Sequence, residues 1–155
     1  MRVAHRVADT DAEGPGRRFA LWVQGCSLRC PGCCNPELFD AAGGEDVSVD
    51  ALLAEIASTA GIEGISVLDG LPAEQADLAA LCAGVRALGL TVMLYSGYTR
   101  AEIDARRPGL LASVDLLVDG RFDARQPDTR RWIGSTNQVL HFLSDAYRPD
   151  DPQFS

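Results

Sequence analysis

The sequence predicts an α/β fold with a mostly parallel sheet, and three features point to it. Short apolar runs rich in β-formers alternate with runs of helical period, which is the signature of βαβ units joined by right-handed crossovers. A turn or loop follows each such strand, at the end where parallel sheets bind ligands. The first of those loops is long and carries four of the five cysteines. At 155 residues the chain is read as one domain.

Residues 1–18 are polar, with Gly14, Pro15 and Gly16, and read as a strand or arm followed by a turn. Residues 18–24 are apolar and read as a buried strand. Residues 25–44 hold Pro31, Pro36 and several glycines and read as a loop; a loop of that length is usually functional. Ser48 or Asp50 caps a helix to about Ala60, with Leu52, Leu53, Ile56 and Ala57 on one face. Residues 64–68 form a second strand and 69–72 a turn. A helix over 73–88 places Leu78, Leu81, Cys82, Val85 and Leu88 at helical spacing, and Gly89 stops it. Residues 91–95 form a third strand and 96–98 a turn. Thr99 caps a helix from Arg100 to about Arg107, which Pro108 breaks; 110–113 make a short turn. Residues 114–118 form a fourth strand, ended by Asp119-Gly120. The segment 121–137 is polar and irregular, 138–143 is a last strand, and the acidic tail from Asp145 is expected to fray in part.

Composition narrows the function classes. The formal net charge is -8, with 22 acidic and 14 basic residues. That balance argues against nucleic acid as a partner. Every basic residue is arginine, and no lysine is present. Schiff-base lysine chemistry and a phosphate-binding P-loop lysine are therefore excluded. No apolar run is long enough for a membrane span. The first ten residues carry charges and lack the apolar core of a signal peptide. A cytoplasmic, reducing setting follows as the expectation, in which cysteines are read as ligands or reactive thiols before disulfides.

Cys26, Cys30, Cys33 and Cys34 lie close together, with core spacing C-x3-C-x2-C. Three thiolates on a tight loop can hold three corners of a [4Fe–4S] cubane; full protein ligation takes four. With three, one iron stays open, as a catalytic zinc keeps one position open. Pro31-Gly32 bends the chain between Cys30 and Cys33. Two other readings stand beside this one. A structural zinc would need a fourth ligand from Cys34, Cys82, His5 or His141. A Cys30–Cys33 dithiol pair would leave Cys26 unexplained. Cys82 reads as a buried core thiol, His141 as structural, His5 as surface, and Trp22 and Trp132 as packing. Asp119 is either a turn former or a contact for a polar ligand. Arg130-Arg131 is either a solvated pair or a docking contact.

The segment LWVQGCSLRCPGCCNPE at 21–37 resembles the cluster-binding segment of radical S-adenosylmethionine (SAM) activating enzymes. The subgroup it is most similar to is the small activase of anaerobic ribonucleotide reductase. YSGY at 95–98, VDLLVDGRF at 114–122 and WIGSTNQ at 132–138 extend the resemblance over nearly the whole chain. The resemblance implies a partial (βα) barrel. It implies that Cys26, Cys30 and Cys33 ligate a [4Fe–4S] cluster whose open iron binds SAM. It implies backbone contacts of Gly32, Cys33 and Cys34 with the adenine, and places Ser96 and Gly97 near the ribose or carboxylate. The implied activity is reductive SAM cleavage that generates a glycyl radical on a large partner, anaerobic ribonucleotide reductase, with flavodoxin or ferredoxin as reductant. One departure stands out. The family pattern Gly-Gly-Glu-Pro, whose glutamate helps hold the SAM amino group, reads Asp69-Gly70-Leu71-Pro72 here. Gly70 and Pro72 fit; Leu71 accepts no hydrogen bond from an ammonium, and Asp69 is the candidate substitute. A degenerate homologue that keeps the cluster without productive SAM cleavage, or a radical enzyme acting on a peptide or small molecule, are the alternatives.

Overall fold

A computed structural model describes residues 1–68 and 70–155. The strands are β1 (Arg2–Thr10), β2 (Arg18–Val23), β3 (Glu45–Asp46), β4 (Gly64–Leu68), β5 (Thr91–Ser96), β6 (Leu116–Asp119) and β7 (Val139–Phe142). The helices are α1 (Val49–Ser58), α2 (Leu78–Ala87) and α3 (Arg100–Arg106). The seven strands form one sheet in the order β3-β1-β2-β4-β5-β6-β7. Its centre, β2-β4-β5-β6, is parallel. β1, β3 and β7 are antiparallel additions at the two sides. The parallel βαβ centre is as the alternation predicts. β3 and β7 end the order and do not pair with each other among the described residues.

Strand alternation divides the core in two. Ile65 and Val67 of β4, Val92 and Leu94 of β5, and Leu117 of β6 face the three helices and pack with Leu52, Ile56, Leu81, Val85 and Ile103. Met93, Leu116 and Val118 face the other way and pack with Ile133, Trp132 and Phe154 from the segments after β6 and β7. The helices thus cover one face, and irregular chain covers the other.

Local chemistry sets the helix ends. Ser48, not Asp50, caps α1: its Oγ accepts from the Ala51 N–H at 3.1 Å. Thr99 and Glu102 form a reciprocal capping box at α3. α2 begins at Leu78 rather than at 73. Pro72–Glu74 form a separate 3-10 turn, and Gln75 is extended. The reason is tertiary: Gln75 Oε1 accepts from the Arg2 N–H at 3.1 Å, and its Nε2 donates to the Gln24 carbonyl at 2.9 Å. β6 begins two residues later than the sequence predicts. Asp115, just before it, is buried, and its Oδ2 accepts from the Val92 N–H at 2.8 Å.

Arg18 closes the amino-terminal end of the parallel strands. It is fully buried and donates to Ser66 Oγ, the Ile65 and Pro15 carbonyls, Thr91 Oγ1 and Tyr147 OH at 2.6–3.2 Å. Tyr147 in turn donates to Glu63 Oε2 at 2.7 Å, so the charge is balanced at one remove. Arg18→Met leaves these acceptors unpaired and is expected to cost about 3 kcal/mol. Urea unfolding measures this; a loss under about 1 kcal/mol would contradict the assigned role.

Candidate functional site

The loop after β2 is fastened by side chains that capture backbone. Gln24 is buried, and its Nε2 donates to the carbonyls of Glu37 at 3.0 Å and Asp40 at 2.7 Å. The N–H groups of Gly25 and Cys26 donate to the Leu38 and Phe39 carbonyls at 2.8 and 3.2 Å. From the side, the Arg2 guanidinium binds the carbonyls of Ala42, Gly43 and Gly44. The loop after β4 joins through the Leu71 N–H, which donates to the Gly25 carbonyl at 2.8 Å. Gly70 makes that approach possible. Its φ is +56°, and a Cβ there would stand 2.5 Å from the Val23 carbonyl oxygen.

A cavity of about 220 Å³ opens at the carboxyl ends of the parallel strands. Cys26, Cys30, Cys33 and Cys34 line it from the first loop, with Gly70 after β4 and Ser96 and Gly97 at the end of β5. These sequence-predicted residues come together in one place. Gly32 does not line it: that residue faces outward, and a Cβ on it would lie 2.9 Å from the Ala124 Cβ. Asp69 lies outside the described residues. Leu71 is buried and packs toward Gly97 together with Leu28, so no carboxylate is offered from that position.

All five cysteines are free thiols; Cys26, Cys30 and Cys33 are half-buried, Cys34 is exposed and Cys82 is buried. Among the described residues no three His, Cys, Asp or Glu side chains gather tightly enough to grip one metal ion. The donor set itself, soft thiols spread around a cavity, suits a cubane that takes one thiolate per iron. A single zinc instead draws four donors to about 2.0–2.3 Å. His141 Nε2 lies 3.0 Å from Asp119 Oδ1, off the line of a hydrogen bond, and Asp119 Oδ2 accepts from the Arg100 N–H at 2.5 Å. The Arg100–Asp119 bond ties β6 to α3.

A polar knot beside the cavity was not foreseen in the sequence. Tyr98 is nearly buried, and its OH donates to Glu74 Oε1 at 3.2 Å. Ser27 Oγ donates to the same oxygen. The guanidinium groups of Arg106 and Arg121 lie 4.5 and 5.6 Å from the Tyr98 ring centre. Arg121 also donates to the Gly97 carbonyl at 3.1 Å and pairs with Glu102. The Arg121 hydrogen bond, then the Thr99 N–H, bring the Glu102 carboxyl down to about 2. The knot thereby links the loops after β2, β4, β5 and β6. Phe39, Phe122 and Trp132 supply apolar wall, and Gln138 fixes the last segment by accepting from the N–H groups of Gly134 and Ser135 and donating to the Gly120 carbonyl.

A family model described as a 4Fe-4S single cluster domain matches residues 12–141. A protein of Vibrio cholerae named anaerobic ribonucleoside-triphosphate reductase-activating protein is 35% identical over 138 residues, which cover 83% of this chain and 89% of that protein. The chain belongs to the family of anaerobic ribonucleoside-triphosphate reductase-activating proteins. The member from Escherichia coli (strain K12) is 32% identical over 141 residues, 84% of this chain and 91% of its own. The member from Enterobacteria phage T4 is 30% identical over 140 residues, covering 86% and 88%. Among the described residues no helix of this family member is long and apolar enough to cross a membrane.

The cysteines divide by environment. Burial, with Asp115 adding to it, pushes the Cys82 thiol up to about 12. In cluster-free native protein at about pH 8, iodoacetamide is expected to label the four loop cysteines well before Cys82, which becomes reactive only on unfolding. Mass spectrometry of the labelled peptides checks this. Equal labelling of Cys82 under native conditions would contradict its burial.

Proposed function

We propose that this chain is a radical SAM activase that generates a glycyl radical on an anaerobic ribonucleotide reductase. The observation that carries the reading is the meeting of Cys26, Cys30 and Cys33 with Gly70, Ser96 and Gly97 around one cavity at the carboxyl ends of the parallel strands. The family match and the printed role of its relatives support it. In this reading Cys26, Cys30 and Cys33 would hold a [4Fe–4S] cluster and leave one iron open to SAM. A bound cluster would supply the one electron that reductive cleavage of the SAM carbon–sulfur bond needs, giving methionine and a 5′-deoxyadenosyl radical able to take a hydrogen atom from a glycine of the reductase.

The chain's own groups prepare that chemistry. Ser96 Oγ already accepts from the Tyr98 N–H at 3.0 Å, so its proton is available to a SAM carboxylate or ribose oxygen. Gly97 and Gly70 keep the floor open, and Cys33 and Cys34 supply backbone for the adenine, whereas Gly32, outside the cavity lining, would reach the adenine only if the loop shifted when SAM binds. Phe39, Phe122 and Trp132 exclude water from the place where a carbon radical would form. We read the chain as one domain whose sheet and helices form a partial (βα) barrel. A flavodoxin or ferredoxin serves as electron donor, and the setting is cytoplasmic. A second reading is favoured by Leu71, buried where the family pattern carries a glutamate. In that reading the chain keeps the cluster without productive SAM cleavage.

Cys26→Ala, Cys30→Ala or Cys33→Ala is expected to abolish the cluster absorbance, whereas Cys34→Ala and Cys82→Ala retain it. Loss of the cluster in Cys34→Ala would overturn the ligand set. Rebuilding the family pattern with Asp69→Gly and Leu71→Glu is expected to tighten SAM binding by about 10- to 100-fold, the worth of one charge-assisted hydrogen bond. Calorimetry on the reconstituted protein reads this, and an unchanged affinity would mean that another group already holds the amino end. The proposed activity itself is tested by chromatography for 5′-deoxyadenosine after mixing dithionite-reduced protein with SAM. Its absence would favour the second reading.

A further inference from the structure

Most of the arginines are committed to internal partners. Arg6, Arg17, Arg86, Arg121, Arg125 and Arg130 pair with Glu55, Asp9, Asp115, Glu102, Asp123 and Asp128. Arg2, Arg18 and Arg107 donate to backbone carbonyls. Arg29, Arg100, Arg106, Arg131 and Arg148 are exposed and meet no carboxylate among the described residues. Three of them lie across aromatic rings. Arg106 lies over Tyr98 in the knot described above. Arg29 lies 5.6 Å from the Phe39 centre and Arg131 4.4 Å from the Trp132 centre.

Both rings line the same cavity, from two separate walls. Phe39 belongs to the loop after β2, and Trp132 to the segment after β6. The backbone is arranged to hold these stacks. Arg29, with φ 50°, and Trp132, with φ 66°, are the two non-glycine residues with left-handed backbone among the described residues. Such strain persists where surrounding structure imposes it and concentrates at functional sites. Stacking engages the face of a guanidinium and leaves its N–H edge free for a carboxylate. The neighbouring Arg130 shows the contrast: it spends that edge on Asp128.

We propose that Arg29 and Arg131 form a two-sided docking rim at the cavity mouth for a polypeptide segment flanked by aspartate or glutamate side chains. The inference rests on the reading above that the cavity serves a protein substrate, and it adds which residues meet that protein and what charge they look for. Charge complementarity argues for this occupant. The chain carries a net charge of -8 and repels an extended polyanion such as nucleic acid. Two cations stacked on rings that line one cavity offer positive charge only locally, which suits a few carboxylates around an inserted segment. Such a rim acts mainly on encounter rate and orientation, and salt weakens it.

The test uses the reconstituted holoprotein and the anaerobic ribonucleotide reductase of the same organism. Their association is measured at low ionic strength and at about 0.15 M. Arg29→Glu with Arg131→Glu is expected to weaken association about 10-fold or more at low salt, with a smaller loss at the higher salt. Arg148→Glu makes the same kind of charge change at an exposed arginine away from the cavity and is expected to stay within about twofold. A double variant no weaker than Arg148→Glu, or wild-type association that is absent or indifferent to salt, overturns the proposal. Arg131→Glu alone, outside the cysteine loop, decides the matter if the Arg29 change disturbs the cluster absorbance. The response of the cluster to SAM is read separately in each variant. Failure of the SAM response in wild type would count against the activase reading, whereas failure of the charge effect alone counts only against the rim.

Discussion

The amide of Gln24, buried at the carboxyl end of β2, donates to two carbonyls of the loop that follows and folds that loop back over the sheet. The cysteines would otherwise sit on a long irregular stretch with no reason to face any ligand. Gln24 cannot act alone. Its own carbonyl is taken by Gln75, and the Gly25 carbonyl by the Leu71 N–H, so the loop after β4 is bound to the cysteine loop through main chain. Gly70 is the residue that lets those two backbones come together. Substituting any of these groups would move the thiols without touching them.

The rest of the site follows from the strand period. Side chains on one face of the parallel strands belong to the helices, and those on the other belong to the segments after β6 and β7. Where β5 and β6 end, Ser96, Gly97 and Gly120 line the cavity, and their small size leaves it open. The Glu74–Tyr98–Arg121 knot then fixes the mutual position of four loops. It works by hydrogen bonds and stacked guanidinium groups, where a helix or strand would have been too regular to turn that corner.

Sequence legibility varied with how local the determining physics was. That Cys26, Cys30 and Cys33 share one cavity was legible because their close spacing keeps them on one short loop. The order of strands and helices was legible because burial imposes a period, and Ser48 and Thr99 because caps act over three residues. The start of α2 was not, because Gln75 is drawn out of helical conformation by Arg2 and Gln24, both distant in sequence. Glu74, Tyr98 and Arg121 were missed for the same reason: their roles exist only once four loops meet. The YSGY segment and the Gly-Arg-Phe after the fourth strand contained two of them, Tyr98 and Arg121, without showing their roles. Gly32 sits against Ala124 of the segment after β6, a neighbour that spacing within the cysteine loop cannot reveal.

The central claim is that three thiolates leave one iron free for SAM. The most direct test is the electron paramagnetic resonance spectrum of anaerobically reconstituted, dithionite-reduced protein, recorded with and without SAM. The account predicts a reduced-cluster signal whose line shape changes when SAM is added. A cluster signal indifferent to SAM, or no cluster signal at all, would contradict it.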